Sequence, residues 1–399
     1  MRLALVADVF PPLRSSGAVQ LRDLAIELKS QDHTITVIVA APELKVPWTI
    51  EDMNGVQILR LKTLITRDRP NIMRSLGEFL MPLMMLRAFR LSPLKSTYFD
   101  GVIWYSPTIF LGYLVKVLKK NSNCPSYLII RDIFPEWAWE MGVIRSKWVY
   151  ICFKAIANYQ YSQANVIGIQ TSGNHNYFIA WRNRYPKRRI EVLHNWLSDA
   201  QNIGSSIYIQ NTKLANRKIF VYAGNIGVAQ NVLVFLKLAE RFKNRIDIGF
   251  LFVGRGSESM RLADQFKMLP NVLFCAEIEP IEIPGLYAQC HVGLVALDPR
   301  HLSHNIPGKF LSYMQAGLSV LAYVNHGNDL IELINEYRVG VIIESNADDQ
   351  QVERAALKVL ELSQDPKVSE RCRDLAITMF GTERAAKQIV DSLAECAKN

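Results

Sequence analysis

The sequence predicts an α/β protein made of two doubly wound domains. With 399 residues, the chain exceeds one ordinary hydrophobic core and suits two domains of roughly 200 residues each. Short β-branched or apolar runs alternate with helical patterns in both halves, which is typical of parallel sheets built from βαβ units. Between the halves, residues 198–216 are polar and show no hydrophobic period, so they are the best candidate for a linker.

The first domain is predicted over residues 1–200 and the second over 201–382, with a C-terminal helix over 383–399 that packs back on the first domain. Because open parallel sheets bind ligands outside the carboxyl ends of their strands, two such sheets facing each other predict a site in the cleft between them. The expected strands are residues 3–7, 35–40, 101–105, 127–130, 166–170 and 190–193, then 219–223, 248–253, 272–275, 292–297, 320–324 and 339–343.

Composition limits the class of protein. Apolar residues make up 49% of the chain and charged residues 21%, which excludes extended disorder. The first apolar run ends at Asp8, too early for a secretory signal or a membrane span, and the most apolar later stretch, residues 79–89, contains Pro82 and Arg87. The six cysteines form no CxxC pair, as expected in a reducing cytosol. The sequence therefore predicts a cytoplasmic protein.

Positive charge is concentrated in the first half, where residues 1–200 carry a net +10 against −1 for residues 201–399. This asymmetry predicts an anionic partner, and the absence of recognised nucleic-acid motifs favours lipid over nucleic acid. Residues 69–95 combine apolar positions at helical spacing with five Lys and Arg against the single acid Glu78. They predict a basic amphipathic segment on an anionic leaflet, kinked at Pro82. The alternative is a helix whose apolar stripe is buried on its own domain.

The most informative stretch is residues 305–321, NIPGKFLSYMQAGLSVL. Pro307 suits the first position of a helix, Gly308 allows a ligand to approach closely, and Lys309 would lie at the positive end of the helix dipole. Together they predict a seat for a diphosphate. The alternative is an ordinary loop-to-helix junction with a solvated lysine.

A second glycine motif competes with this interpretation. Gly254 and Gly256 follow a predicted strand and open a helix, which imitates a dinucleotide-binding fingerprint. However, Ser259 replaces the third glycine, and the motif follows the second strand of its domain instead of the first. An NAD-dependent oxidoreductase is therefore the least favoured function.

The ordered set of motifs resembles that of bacterial family-4 retaining glycosyltransferases with the GT-B fold, and the resemblance covers nearly the whole chain. Residues 305–321 resemble their Pro-x-Lys and Tyr-Met-x-x-Gly signature. FPPLRSSG at 10–17 resembles their glycine loop after the first strand, and RDIFPE at 131–136 resembles their acceptor-side segment. YAGNIG at 222–227 resembles the first turn of their nucleotide domain, and HNW at 194–196 resembles the segment before their linker.

The resemblance implies a donor site for a UDP-sugar, with no further cofactor. Lys309 would carry the phosphate charge, with Arg14 or Arg255 as candidate helpers, and backbone near Glu277 would pair with the uracil. Asn328 and Asp329 are the candidates for binding the sugar. The full set of expected donor-binding residues is Ser16, Gly17, Asn225, Gly227, Arg255, Glu277, His304, Pro307, Gly308, Lys309, Ser312, Gly327, Asn328 and Asp329.

The chain departs from the family pattern in two places. Most members carry glutamates where this chain has His304 and Ser312, and an Arg and a Lys where it has Asn225 and Gln230. The charge on the diphosphate must then be balanced mainly by Lys309.

The mechanism implied by the resemblance is front-face attack with retention of the anomeric configuration, in which the leaving phosphate takes the acceptor's proton. This chemistry asks for positioning and charge stabilisation, so Lys309 and Asp132 are the predicted catalytic residues, with Asp132 orienting the acceptor hydroxyl. The alternative role for Asp132 is a helix N-cap ahead of Pro135. No Asp-x-Asp triplet stands at a strand end, so no metal is expected.

Within the family, the similarity is closest to N-acetyl-L-fucosamine transferases of O-antigen and capsule synthesis. That likeness implies an undecaprenyl-diphosphate-linked saccharide as acceptor and anionic lipid of the inner leaflet as a partner. Two other functions stay open: a non-catalytic partner subunit that binds donor or membrane, and a UDP-sugar 2-epimerase.

Overall fold

The computed structural model describes residues 1–13, 15–65, 71–199, 201–227, 230–298 and 305–398. The chain forms two compact units: one comprises Met1–Trp196 with Thr382–Asn399, and the other Leu197–Gly381. Each unit is an α/β structure built on its own largely parallel sheet, which confirms the predicted fold class.

The first unit contains an eight-stranded sheet in the order β3-β4-β2-β1-β5-β6-β7-β8. All neighbouring strands are parallel except β3 and β4, which form an antiparallel hairpin. Its central strands are buried apolar runs because helices cover both faces of the sheet. The strands are β1 Arg2–Ala7, β2 Thr34–Ala40, β3 Trp48–Met53, β4 Val56–Leu61, β5 Gly101–Ser106, β6 Ser126–Ile130, β7 Val166–Ile169 and β8 Arg189–Val192.

Two helix layers cover this sheet. One core cluster joins the sheet to α2, α3, α5 and α6, and another joins its opposite face to α1 and α14. The helices are α1 Ser16–Ser30, α2 Asn71–Leu91, α3 Gly112–Ser122, α4 Glu136–Glu140, α5 Lys147–Ser162 and α6 Ile179–Arg184, with α14 Thr382–Lys398 closing the chain. None of the helices described here and below is long and apolar enough to cross a membrane.

The second unit contains a six-stranded, all-parallel sheet in the order β11-β10-β9-β12-β13-β14. The strand order reverses beside β9, so the topological switch point lies between β9 and β12. Its strands are β9 Lys218–Ala223, β10 Ile248–Val253, β11 Val272–Cys275, β12 Val292–Ala296, β13 Ser319–Val324 and β14 Gly340–Glu344. Its helices are α7 Leu233–Arg241, α8 Ser259–Phe266, α9 Ile283–Tyr287, α10 Gly308–Ala316, α11 Asp329–Tyr337, α12 Asp349–Leu362 and α13 Pro366–Phe380.

Residues 207–214 of the predicted linker pack on the second unit. Ile207, Ile209 and Leu214 pack into the core of the second unit, and the Gln289 side chain bonds the backbone of Ile207 and Ile209 at 2.9 and 3.0 Å. The apolar side chains hold this segment against the unit despite its polar composition. The chain passes between units at Trp196–Leu197 instead.

The C-terminal helix α14 belongs to the first unit. Ile389 and Leu393 are fully buried in the cluster that contains α1, and Gln388 donates a hydrogen bond to the backbone oxygen of Val192 at 2.9 Å. This contact joins the end of the chain to the last strand of the first sheet.

Candidate functional site

The predicted donor residues of the second unit lie in loops and helix starts beyond the carboxyl ends of its strands. Asn225 and Gly227 follow β9, Arg255 follows β10, and Glu277 follows β11. Pro307–Lys309 begin α10 after β12, and Gly327–Asp329 follow β13. This edge, at the switch point beside β9, is where open parallel sheets bind ligands.

Glycines let the β9 and β10 loops touch through their backbones. A Cβ on Gly254 would lie 1.9 Å from the Gly224 oxygen, and one on Gly256 would lie 2.3 Å from the Ile226 oxygen. Gly254 has φ +147° and Gly256 φ +155°, which disfavour any other residue. Ile226 N donates to the Arg255 oxygen at 2.8 Å. The Gly-x-Gly motif that imitates a dinucleotide fingerprint therefore has a packing role.

The turn after β9 is held by neutral groups. The Asn225 amide donates to Gln230 Oε1 at 3.0 Å, and the same oxygen accepts from Gly227 N at 3.2 Å. The Tyr222 hydroxyl donates to the Asn225 oxygen at 2.7 Å. Asn225 and Gln230, which were expected to depart from the family pattern, thus brace each other and the turn.

Arg255 and Glu277 bind each other. Arg255 Nε lies 2.6 Å from Glu277 Oε2, with 80% and 43% of the two side chains exposed. The Arg255 guanidinium therefore already has a carboxylate partner, which lowers its value as a second phosphate-binding charge. The predicted base contact uses Glu277 backbone and stays a prediction.

Helix α10 begins one residue later than predicted. Pro307 is its N-cap with φ −62° and ψ 140°, because the residue is extended and Gly308 is the first helical position. A Cβ on Gly308 would meet no described atom within 4 Å, so space is open at the helix start. The Tyr313 hydroxyl donates to the Val221 oxygen at 3.0 Å, which anchors α10 on the central strand.

Lys309 packs over an aromatic ring instead of extending into solvent. Its Nζ lies 3.7 Å from the centroid of the Tyr222 ring, a cation–π contact. Burial lowers the pKa of Lys309 to about 7, because desolvation disfavours the ammonium. Within the described residues no carboxylate pairs with it. An anion arriving at the helix start would supply the missing counter-charge and favour the protonated form.

Two other predicted contacts are already engaged. Ser312 Oγ donates to the Gly308 oxygen at 3.3 Å, within α10. Asn328 caps α11, with Oδ1 accepting from Leu330 N at 3.0 Å, so only its amide nitrogen would be left to bind a sugar.

The remaining predicted donor residues are Gly327, Asp329, His304 and Arg14. Gly327 precedes Asn328 with φ +76°, and Asp329 stands in the first turn of α11. His304 and Arg14 lie outside the described residues.

In the first unit, the predicted residues also lie beyond the carboxyl edge of the sheet. Ser16 and Gly17 begin α1, and a Cβ on Gly17 would come within 2.8 Å of the Tyr105 hydroxyl on β5. Asp132 follows β6 and is exposed, whereas α4 begins at Glu136 with Pro135 as N-cap. The alternative role of Asp132 as helix cap is therefore wrong.

Sequence reasoning missed three side chains near these positions. Tyr222 is the first residue of the YAGNIG motif. Its contact with Lys309 could not be predicted, because the two residues lie far apart in the chain. Burial raises the pKa of Tyr105, whose hydroxyl faces Gly17. Glu136, in the acceptor-side segment, is buried and pairs with Lys154 of α5.

Comparisons with known proteins show similarity to glycosyltransferases. Residues 207–378 match the model of the family described as Glycosyl transferases group 1. The probable glycosyltransferase WbjE of Pseudomonas aeruginosa is 23% identical over 225 residues, which cover 53% of this chain and 54% of that protein. The matched part thus spans about half the length of this curated relative. The match to the family model lies within the second unit.

Solved structures show the same fold over nearly the whole chain. Sucrose-phosphate synthase from Thermosynechococcus elongatus has a TM-score of 0.72 at 12% identity, covering 99% of this chain and 98% of that one. HepE of Anabaena, in complex with UDP and glucose, has a TM-score of 0.64 at 12% identity, covering 98% and 99%. WaaG, a glycosyltransferase involved in lipopolysaccharide biosynthesis, has a TM-score of 0.65 at 14% identity, covering 97% and 99%. The fold is GT-B.

The backbone contact at Gly254 predicts an asymmetry between two glycines. Gly254→Ala should lower the free energy of unfolding by about 2 kcal/mol or more, because its methyl would overlap the Gly224 carbonyl. Gly308→Ala is the matched control and should leave stability within about 0.5 kcal/mol. Denaturant unfolding of both variants measures this, and equal stabilities would contradict the packing role.

The Tyr222 ring should stabilise the Lys309 ammonium. In Tyr222→Leu the pKa of Lys309 should fall below its wild-type value, since the ring no longer favours the cation. Tyr222→Phe keeps the ring and should leave that pKa unchanged. NMR titration of the lysine side chain gives both values. A Lys309 pKa that is the same in Tyr222→Leu and wild type would show that the ring contributes nothing.

Proposed function

We propose that this protein is a retaining glycosyltransferase that moves a sugar from a UDP-sugar onto a lipid-linked saccharide. The observation that carries the proposal is Lys309, an ammonium without a carboxylate partner among the described residues, at the start of α10 and beside an open Gly308. A helix N-terminus with a nearby cation is suited to a diphosphate. Structural neighbours with UDP and with UDP-glucose in their complexes support this donor class.

The donor's leaving group determines what the protein must do. As the bond between the anomeric carbon and the diphosphate breaks, negative charge grows on the phosphate oxygens. Lys309 and the first backbone N–H groups of α10 would stabilise that charge more strongly than in the ground state. The leaving phosphate then takes the proton from the acceptor hydroxyl, which bonds to the same face of the anomeric carbon. No protein nucleophile is needed.

The acceptor side is proposed in the first unit. Asp132 is exposed after β6 and could accept a hydrogen bond from the acceptor hydroxyl, while Arg131 and Tyr105 lie in its electrostatic neighbourhood. Ser16 and Gly17 mark the start of α1 at the same edge of the sheet. We extend the proposal to an N-acetylated deoxyhexosamine such as N-acetyl-L-fucosamine as the sugar, and to O-antigen or capsule synthesis.

Because the proposed acceptor is linked to a lipid, the enzyme must reach it at a membrane surface. Helix α2 runs through Pro82, and its side chains Phe79 and Leu83 are 54% and 49% exposed, although Met85 and Phe89 are buried. The segment 69–95 therefore has both an apolar face in the core and apolar side chains on the surface. Arg69 and the side chains of residues 71–76 lie outside the described part. We propose that this unit binds the inner leaflet of the plasma membrane.

Replacing the phosphate-binding cation should disable transfer. Lys309→Ala should lower turnover by roughly 10²-fold or more, because one charge-stabilising donor is lost. UDP release from UDP-sugar with a lipid-linked acceptor measures the rate. Lys237→Ala, at an exposed position of α7, is the matched control and should keep wild-type turnover. Wild-type rates in Lys309→Ala would exclude the assigned phosphate seat.

The same assay distinguishes an enzyme from a non-catalytic partner subunit. Such a subunit would bind UDP-sugar through Lys309 without releasing UDP when acceptor is added. The alternative arises because Ser312 stands where the family pattern implies a glutamate. Its hydroxyl donates to the Gly308 oxygen within α10, so it supplies no carboxylate to the donor site.

Donor affinity should depend on pH through Lys309. The pKa of Lys309 in the free protein is about 7, and a diphosphate favours the ammonium, so binding takes up a proton above that pH. Affinity should be highest below pH 7 and fall by up to tenfold per pH unit above it. Calorimetry with UDP-glucose, whose phosphates do not titrate in this range, measures the slope. A flat profile in the wild type between pH 6 and 8.5 would contradict this coupling.

A further inference from the structure

The start of helix α5 is unusually apolar for an exposed segment. Trp148 is 82% exposed, Val149 44% and Ile151 46%, and Val143 in the preceding turn is 65% exposed. We refer to these four residues as the α5 surface. The first six residues of α5 include none that is buried, whereas Ala157, Gln160 and Tyr161 anchor its second half. Neighbouring apolar side chains on an exposed helix end usually mark an interaction site.

Two cations flank this surface, and the acids nearest to the start of α5 are Glu136 and Glu140 of α4. Residues 141–190 contain no Asp or Glu, but eight Lys and Arg. Arg145 and Lys147 flank the α5 surface, and both are exposed. Within the described residues neither is in an ion pair. A tryptophan and aliphatic side chains flanked by cations are the composition of segments that lie in the interface of anionic membranes.

The α5 surface lies on the same helix layer as α2. The ring of Phe79 packs edge-on against Phe110 with centroids 6.2 Å apart, and Phe110 packs in the same way against Phe153 of α5 at 6.5 Å. All three helices α2, α3 and α5 cover one face of the sheet. Phe79 of α2 is thus linked to α5 through the ring of Phe110.

We propose that the α5 surface inserts into the interface of an anionic bilayer, with Trp148 and Ile151 among the acyl-chain ends and Arg145 and Lys147 on the lipid phosphates. The inference deepens the proposed membrane role, because it assigns insertion to an element other than segment 69–95. A bilayer fits better than a protein partner, since exposed apolar side chains flanked by Arg145 and Lys147 match lipid tails and phosphates at once.

The test is sedimentation of the full-length protein with vesicles. Wild type should bind vesicles of equal parts phosphatidylcholine and phosphatidylglycerol, and bind phosphatidylcholine alone at least about tenfold more weakly. Trp148→Ala should reduce the partition coefficient on mixed vesicles by about tenfold, because the largest inserted side chain is lost. Arg145→Gln with Lys147→Gln should weaken binding to mixed vesicles only, and added salt should have the same effect.

Ile246→Ala is the matched control, because Ile246 is 84% exposed in the second unit, and it should bind vesicles like wild type. The substituted side chains are all exposed, so thermal unfolding and UDP-glucose binding should be unchanged. This keeps the test separate from the donor site. Wild-type vesicle binding by Trp148→Ala would overturn the proposal. So would a dimer that dissociates on the same substitution, since a second copy would then cover the surface.

Discussion

The ammonium of Lys309 is the constraint on which the candidate site depends. It lies over the Tyr222 ring, and among the described residues no carboxylate balances it. Burial makes that charge costly, which is why the pKa of Lys309 falls to about 7. A polyanion at the start of α10 would relieve this cost, because it adds counter-charge and completes the bonding of the first helical N–H groups. We therefore propose this helix start as the binding site of the donor diphosphate.

Backbone contact, more than charge, builds the rest of the site. Gly224, Gly254 and Gly256 bring the β9 and β10 loops together at distances that side chains would prevent. The turn after β9 is braced by Asn225 and Gln230, two neutral amides. Arg255 is bound to Glu277. In the proposed site, the charge of the diphosphate therefore falls mainly on Lys309.

Much of the fold could be predicted from local sequence, because buried parallel strands are continuous apolar runs. The hairpin of β3 and β4 was missed, since β3 is an exposed edge strand with Glu51 and Asp52 in its interior. Its turn is marked by Asn54-Gly55, both with positive φ, a pair typical of tight hairpins. Within the predicted linker, the packing of residues 207–214 on the second unit is decided by three apolar residues, which the polar composition of the segment conceals.

In the candidate site, too, features set by adjacent residues could be predicted, whereas contacts between residues far apart in the chain could not. Gly308 and Lys309 at a helix start follow from adjacent residues, as does the loop position of Gly327. The Lys309–Tyr222 contact and the Arg255–Glu277 pair depend on which strands become neighbours, which local patterns do not determine. Exposure of Trp148 is equally invisible in sequence, because an apolar run at the start of a helix has the same composition whether it is buried or not.

The most direct test of the central claim is a crystal structure of the protein with UDP. The diphosphate should lie within hydrogen-bonding distance of Lys309 Nζ, beside Gly308 and the first backbone N–H groups of α10. UDP bound away from this helix start, with the Lys309 ammonium still over the Tyr222 ring and no anion near it, would contradict the account.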